Sequence, residues 1–315
     1  MRRTTTARLT ATALALTLGL GLAACSSEDT PEPGESASAS ASASANAVAD
    51  QAALEKVEIS GKSGEKPTIT LPSEPFTVTT PVARLVEDGD GKAIETGDVL
   101  PMHILVVSGA DGSEQGGTYD ASPQSLVAGK TQIEPLETAL TGAHVGARIA
   151  MAVDNGQGTA VYAIEVMDAR TPAARAEGEA VAPKDGLPTV TLADDGTPSI
   201  EPASGDAPKE LVAQPLIKGD GKKVAEGDSV VVRYSGWLWD GTAFDSSWDD
   251  KSVFVVEPLG QAQVIAGWNT GLVGQTVGSQ VMLVIPPDQG YGDTAQGSIP
   301  ANSTLVFVVD IVDAY

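Results

Sequence analysis

The sequence has 315 residues, with 42 acidic against 19 basic side chains and a formal net charge of −23. That balance excludes the Lys/Arg-rich surface needed to displace counterions from nucleic acid, and reads as an acidic, well-solvated exterior. A single cysteine excludes an internal disulfide.

Residues 1–24 read as an export signal. Arg2, Arg3 and Arg8 precede "LTATALALTLGLGLAA", an apolar stretch long enough for a signal core and short for a membrane span. The cysteine follows at once: Cys25 closes "LAAC", which resembles the bacterial lipobox, where the Cys is diacylated and becomes the new N-terminus. An ordinary cleavage site beside a chance cysteine is the alternative. Removing 1–24 takes three arginines and no acid, so the mature chain is more acidic still. Residues 25–66, with "SASASASASA" at 36–45, are expected to be a lipidated Cys and a disordered Ser/Ala-rich tether. Such a composition buries too little apolar area to offset its ordering entropy.

Beyond the tether the chain repeats itself. "PTITL" at 67–71 returns as "PTVTL" at 188–192, and "GDGKAIETGD" at 89–98 as "GDGKKVAEGD" at 219–228. "YDAS" at 119–122 returns as "FDSS" at 244–247, "LTGAHVG" at 140–146 as "LVGQTVG" at 272–278, and "TAVYAIEVMDA" at 159–169 as "TLVFVVDIVDA" at 304–314. Matched blocks in one order predict two copies of one domain, at 67–169 and 187–315, joined by a linker at 170–186. β-branched runs punctuated by Gly and Pro predict antiparallel strands. "QVIAGWNTGLVG" holds two or three helical turns, with Ile265, Trp268 and Leu272 on one face. Each copy therefore reads as an α+β unit, an antiparallel sheet with one short helix against it.

The copies differ in their aromatic residues. Ten of the chain's thirteen lie between Tyr234 and Tyr315, and five of them fall within "VRYSGWLWDGTAFDSSW" at 232–248. By periodicity alone Trp268 and Phe307 are core residues, Asp245 is a turn residue or a helix cap, and Tyr291 is a loop anchor between glycines. Other chemistries lack their motifs. "GDGK" has neither the upstream glycine nor the following Ser/Thr of a phosphate loop. "DGDGKAIETGD" has Lys92 and Ala93 where a calcium loop needs a ligand and a glycine. His103 and His144 lack a metal-binding cluster, and no G-x-S-x-G elbow occurs. No cofactor and no metal are expected.

"VVVRYSGWLWDGTAFDSSWDD", "LGQAQVIAGWNTGLVGQTVGSQVMLVIPPDQGYGD" and "GSIPANSTLVFVVDIV" together resemble the FKBP family, the rapamycin-binding peptidyl-prolyl isomerases, over about 208–315. The resemblance implies a five-stranded antiparallel sheet wrapped around a short helix, with an apolar pocket between them. Trp268 would form the floor of that pocket, and Tyr234, Phe244 and Phe307 its walls. Val264, Ile265 and Ile299 would line its rim, with Asp245 and the Tyr291 hydroxyl as its polar groups. The Ile265 N–H would donate to a substrate carbonyl. The Arg that often holds the family's Asp is replaced here by Trp248, Asp249 and Asp250, with Lys251 the nearest cation. The loop near Tyr291 is one residue short.

Aligning the repeats places Ile104 at the Tyr234 position and Leu136 at that of Trp268, and sets Tyr119 and Asp120 against Phe244 and Asp245. The Tyr291 loop has no counterpart, so the first copy keeps the framework without the pocket. The expected function is a prolyl isomerase anchored by lipid to the outer face of the cell membrane, with the anchor its sole membrane contact. Its partners are proline-containing exported polypeptides and rapamycin-like macrolides. A non-catalytic FKBP-fold binding or chaperone lipoprotein is the alternative.

Overall fold

The computed structural model describes residues 45–315. The leader, Cys25 and all but the last residue of the Ser/Ala run lie outside them. Helix α1 (45–54) opens the described chain. A hairpin of β1 (Glu58–Ser60) and β2 (Thr68–Thr70) follows. The next elements are β3 (Val82–Glu87), β4 (Val99–Ser108), β5 (Glu114–Gly117), β6 (Gln124–Val127), α2 (Glu134–Leu140), β7 (Arg148–Asp154) and β8 (Thr159–Val166). After β9 (Glu179–Ala180) and a second hairpin, β10 (Thr189–Leu192) with β11 (Pro198–Glu201), the same succession recurs. It consists of β12 (Val212–Lys218), β13 (Val230–Leu238), β14 (Ala243–Ser246), β15 (Phe254–Val256), α3 (Ala266–Gly271), β16 (Gln280–Ile285) and β17 (Leu305–Ala314).

The first sheet runs β3-β7-β8-β4-β5 with β6 also on β4; the second runs β14-β13-β17-β16-β12-β9 with β15 also on β13. Read from the same edge, these are one strand order except that β9 adds a strand beyond β12 in the second, and every pairing is antiparallel. The registers agree as well. The Ile104 N–H donates to Thr118 Oγ1 and the Thr118 N–H donates to Ile104 O, each at 2.9 Å. Tyr234 and Ser247 exchange the same two bonds, each at 2.9 Å. Ile104 therefore stands where Tyr234 does.

In the second unit α3 packs on one face of the sheet, with Trp268 and Leu272 against Leu283, Ile285, Phe307 and Val309. Glycine permits this close approach: a Cβ at Gly267 would meet Ile285 Cγ2 at 2.6 Å, and one at Gly271 would meet Leu283 Cδ2 at 2.7 Å. The opposite face is covered too. Leu187, Val190 and Ile200 of the second hairpin region pack on Met282, Val284 and Val306. Burial on both faces explains why β16 and β17 are continuous apolar runs instead of alternating ones.

Three expectations change. The tether was expected to reach residue 66, yet from residue 45 the chain is folded. Leu54 and Val57 are fully buried with Phe76, Val78 and Val107 on the face of the first sheet away from α2. Asp50 Oδ2 accepts the N–H and hydroxyl of both Thr79 and Thr80 at 2.9–3.0 Å, bonds that hold its carboxyl below the usual range despite burial. The Ser/Ala run dominated the composition of that window and hid the apolar positions after it. The expected linker at 170–186 is laced into structure. Arg170 and Val99 exchange two backbone bonds, the Ala176 N–H donates to Asp310 Oδ2 at 2.7 Å, and β9 pairs with β12. The block "PTITL" and its return occupy different places, since β2 closes its hairpin whereas β10 opens one.

Candidate active site

The aromatic residues of the second unit converge on Trp268, which α3 pushes into the sheet until only 4% of it is exposed. The Tyr234 and Phe307 rings each stand edge-on to the indole with centroids at 5.2 Å, and Phe254 does so at 6.0 Å. Phe244 meets Phe307 edge-on at 5.5 Å. Such edge-to-face contacts lock the rings while leaving their faces for a ligand. The box is open at one side, where Phe254 is 40% and Tyr291 38% exposed.

Local sequence produces this convergence. Strand alternation puts Tyr234 and Gly236 of β13 on the same face, with Gly236 opposite Phe307 on β17 and Asp245 on β14. A Cβ on Gly236 would lie 2.7 Å from two atoms of the Phe244 ring and 2.9 Å from Phe307. The aromatic walls exist because this strand carries no side chain there.

Asp245 is exposed at the rim, and the Tyr234 hydroxyl donates to its Oδ2 at 2.6 Å. The Asp is thus held by a phenol from inside the box, not by the nearby cation Lys251. Burial, then the hydrogen bond and charge of Asp245, push the Tyr234 hydroxyl well above its ordinary range. It stays a donor at every physiological pH. Ile299 is 7% exposed and belongs to the same cluster, with Val264 and Ile265 packed at its edge. Ile265 caps the N-terminus of α3, and among the described residues no acceptor engages its N–H. Tyr291 lies in the long loop between β16 and β17, after a 3-10 turn at Pro287–Gln289.

Of the nine residues expected at the pocket, Tyr234, Phe244, Val264, Ile265, Trp268, Ile299 and Phe307 pack in one cluster, Asp245 is bonded to it through Tyr234, and Tyr291 is exposed in the β16–β17 loop outside it. Phe254 completes it and was missed by sequence. Its sole signal was an aromatic residue in a three-residue β-branched run, "FVV", which reads equally as an ordinary edge strand. Among the described residues, no group of three or more His, Cys, Asp or Glu side chains is placed to hold a metal ion.

The corresponding place in the first unit is filled. Leu136 stands at the Trp268 position, because Ile133, Leu140 and Ala143 repeat the backbone bonds of Ile265, Leu272 and Gln275. Val106 stands at Gly236, since it pairs with Gly116 and Tyr162 as Gly236 pairs with Asp245 and Phe307. The chain passes from β7 to β8 through residues 155–158 where the second unit spends 286–304. One expectation fails here. Tyr119 and Asp120 do not replace Phe244 and Asp245. With Thr118 matched to Ser247, Gln115 and Gly116 take those positions and Tyr119 matches Trp248. The pairing of side chains agrees: Tyr119 stacks on His103 at 4.8 Å, as Trp248 lies under Arg233 at 5.4 Å. The similar letters of "YDAS" and "FDSS" had drawn the alignment four residues out of register.

This antiparallel architecture with few helices is that of the FKBP fold. The family of FKBP-type peptidyl-prolyl cis-trans isomerases matches residues 220–312. The chain is 41% identical over 106 residues to FK506-binding protein 1 of Aspergillus oryzae, covering 31% of this chain and 91% of that one. It is likewise 41% identical over 106 residues to an FK506-binding protein of Neisseria meningitidis serogroup B, covering 33% of this chain and 96% of that one. A probable FK506-binding protein of Corynebacterium glutamicum is 39% identical over 120 residues, covering 37% and 98%. The chain belongs to the FKBP-type peptidyl-prolyl cis-trans isomerase family, and it is an isomerase of that kind.

Proposed function

We propose that the aromatic box around Trp268 is the isomerase site and that it works on proline-containing segments of exported polypeptides at the outer face of the cytoplasmic membrane. The observation that carries the site is the set of mutually edge-on rings open on one side, with a carboxylate fixed at the rim by a phenol from within. An X–Pro bond must cross a barrier of about 18–20 kcal/mol because twisting breaks amide resonance. Water stabilises the charge-separated planar amide more than the twisted one, so a dry box lowers the difference between them. The proline ring sits against Trp268, between Tyr234, Phe254 and Phe307, while Phe244, Val264 and Ile299 exclude water. The Ile265 N–H donates to the carbonyl beyond the proline. Asp245 and the Tyr291 hydroxyl orient the flanking carbonyls. No nucleophile or proton transfer is needed, since no bond other than the partial C–N double bond changes. The same box suits rapamycin-like macrolides, which present an apolar ring and flanking carbonyls.

The first sheet is a degenerate copy of the same domain, with its box closed by Val106 and Leu136. That closure supports a second reading for residues 67–169, a binding or chaperone module without catalysis. An assay of X–Pro peptide isomerisation by the described residues 45–315, with and without rapamycin, tests the site. Turnover unaffected by Trp268→Ala would refute it.

The anchor rests on the sequence: a basic and apolar leader ending in "LAAC" and a Ser/Ala-rich stretch before the folded chain. Two acyl chains, at about 0.8 kcal/mol per buried CH₂, suffice for stable attachment. A Cys25→Ser variant is expected to be released, or to retain its leader. Its recovery in membranes with the leader removed would overturn the anchor.

A further inference from the structure

One wall of the box is backed by protein instead of solvent. Strand β15 is three residues long and hydrogen-bonds to one neighbour, β13. A strand so short and so placed is among the first parts of a sheet to open. Its side chains alternate. Phe254 and Val256 face the box, Phe254 at 6.0 Å from both Tyr234 and Trp268. Val253 and Val255 face the other way, into a cluster with Val99 and Val127 of the first unit.

Both ends of this strand are tied to the first unit as well. Past its C-terminal end, Glu257 accepts the Ser125 N–H at 2.6 Å on one oxygen and the Ser125 hydroxyl at 2.7 Å on the other. Ser125 Oγ also lies 2.6 Å from the Tyr315 hydroxyl. Before its N-terminal end, Lys130 Nζ donates to Asp250 O at 2.7 Å. The ties are themselves anchored by Arg170, which grips Asp313 through two bonds of 2.7 and 3.0 Å and stacks over the Tyr315 ring at 4.7 Å.

We propose that the first unit is a brace for the isomerase site: strand β6 and Lys130 hold β15 in place, so that Phe254 stays against Trp268 and the box keeps its width. Ser125 and Lys130 are thereby positioning residues, acting on substrate through Phe254. A box lacking this support binds the proline ring with a wall that swings away, which weakens binding of substrate and transition state together. The effect falls on KM, while kcat, set by the dry floor and the rim carboxylate, is little changed. The proposal rests on the placement of the isomerase site in the Trp268 box.

The test is a double-mutant cycle in the chain from residue 26 to the C-terminus, with an X–Pro peptide as substrate. Ser125→Ala combined with Lys130→Met is expected to raise KM about fivefold with kcat within twofold, and to leave the unfolding midpoint of the box unchanged. In a Phe254→Ala background the same pair is expected to add nothing, because the residue it positions is gone. Ser125→Thr with Lys130→Arg is expected to restore the wild-type KM. An unchanged KM, or an equal rise in both backgrounds, overturns the brace. If Phe254→Ala has no effect while Trp268→Ala does, the wall assignment fails and the brace with it. If neither has an effect, the site itself is wrongly placed.

Discussion

Replacing Gly236 by valine tests the reason why one sheet carries a site and the other does not. A Cβ at 236 would stand 2.7 Å from Phe244 Cε2 and Cζ and 2.9 Å from Phe307 Cε1, inside the closest approach of real side chains. The obstacles are rings, each locked edge-on to a neighbour, so they must move as bodies. Valine adds two further carbons on the same side. Displacing packed rings costs about 1–3 kcal/mol of stability, as overpacking usually does. The fold tolerates this, because Val106 occupies the equivalent position in the first sheet and is buried there without disrupting it. The site does not: Phe244 and Phe307 move by an ångström or more, and displacements of that size cost on the order of a hundredfold in rate. The expected result of Gly236→Val is a loss of about fiftyfold or more in kcat/KM for X–Pro peptides, with a cooperative unfolding transition retained. Gly236→Ala is expected to fall between. Wild-type kcat/KM in a folded Gly236→Val protein would refute the claim that a bare strand position creates the box. Unfolding of that variant would refute the equivalence with Val106.

Trp268→Ala removes the buried floor and is expected to cost about 3–5 kcal/mol in denaturant unfolding together with isomerase activity. Asp245→Ala, at an exposed rim position, is expected to change stability by less than about 0.5 kcal/mol while lowering kcat/KM about tenfold. Tyr234→Phe, which frees that carboxylate, is expected to lower activity in the same direction by less. Burial, with the charge of Glu257 adding to it, pushes the Tyr315 hydroxyl up to about 12. A raised pKa means the folded state keeps its proton while the unfolded Tyr loses it near 10. The stability contributed by Tyr315 is therefore complete below pH 10 and lost as the pH rises through about 12. Unfolding free energy measured between pH 9 and 12 is expected to fall less steeply for Tyr315→Phe than for wild type, and an identical slope would contradict the assignment.

The sequence by itself determined the α+β class and the repeat of one unit and, through the resemblance to the FKBP family, pointed to the aromatic residues of the box other than Phe254. The elements themselves are written locally. β-branched runs bounded by glycine make strands, the Ile265–Trp268–Leu272 spacing makes one helical face, and alternation along β13 sends Tyr234 and Gly236 to the same side. Ile104 and Leu136 were matched correctly across the repeat because long apolar strands and the helix fix their own register. The match of "YDAS" to "FDSS" went wrong because a short exposed edge has no such constraint. Hydrogen bonds between strands, here Thr118 to Ile104, decide which residue faces which. Tertiary structure alone decided that Phe254 joins the box and that Tyr234 holds Asp245, since both are side-chain contacts between separate strands. It alone decided that residues 45–66 and 170–186 are folded. Their buried side chains, such as Leu54, Val57 and Ala176, are few and are covered by surfaces contributed by other segments, so no local pattern announces them. The brace on β15 is of the same kind: Ser125 and Glu257 are unremarkable polar residues until two separate sheets bring them within 2.7 Å.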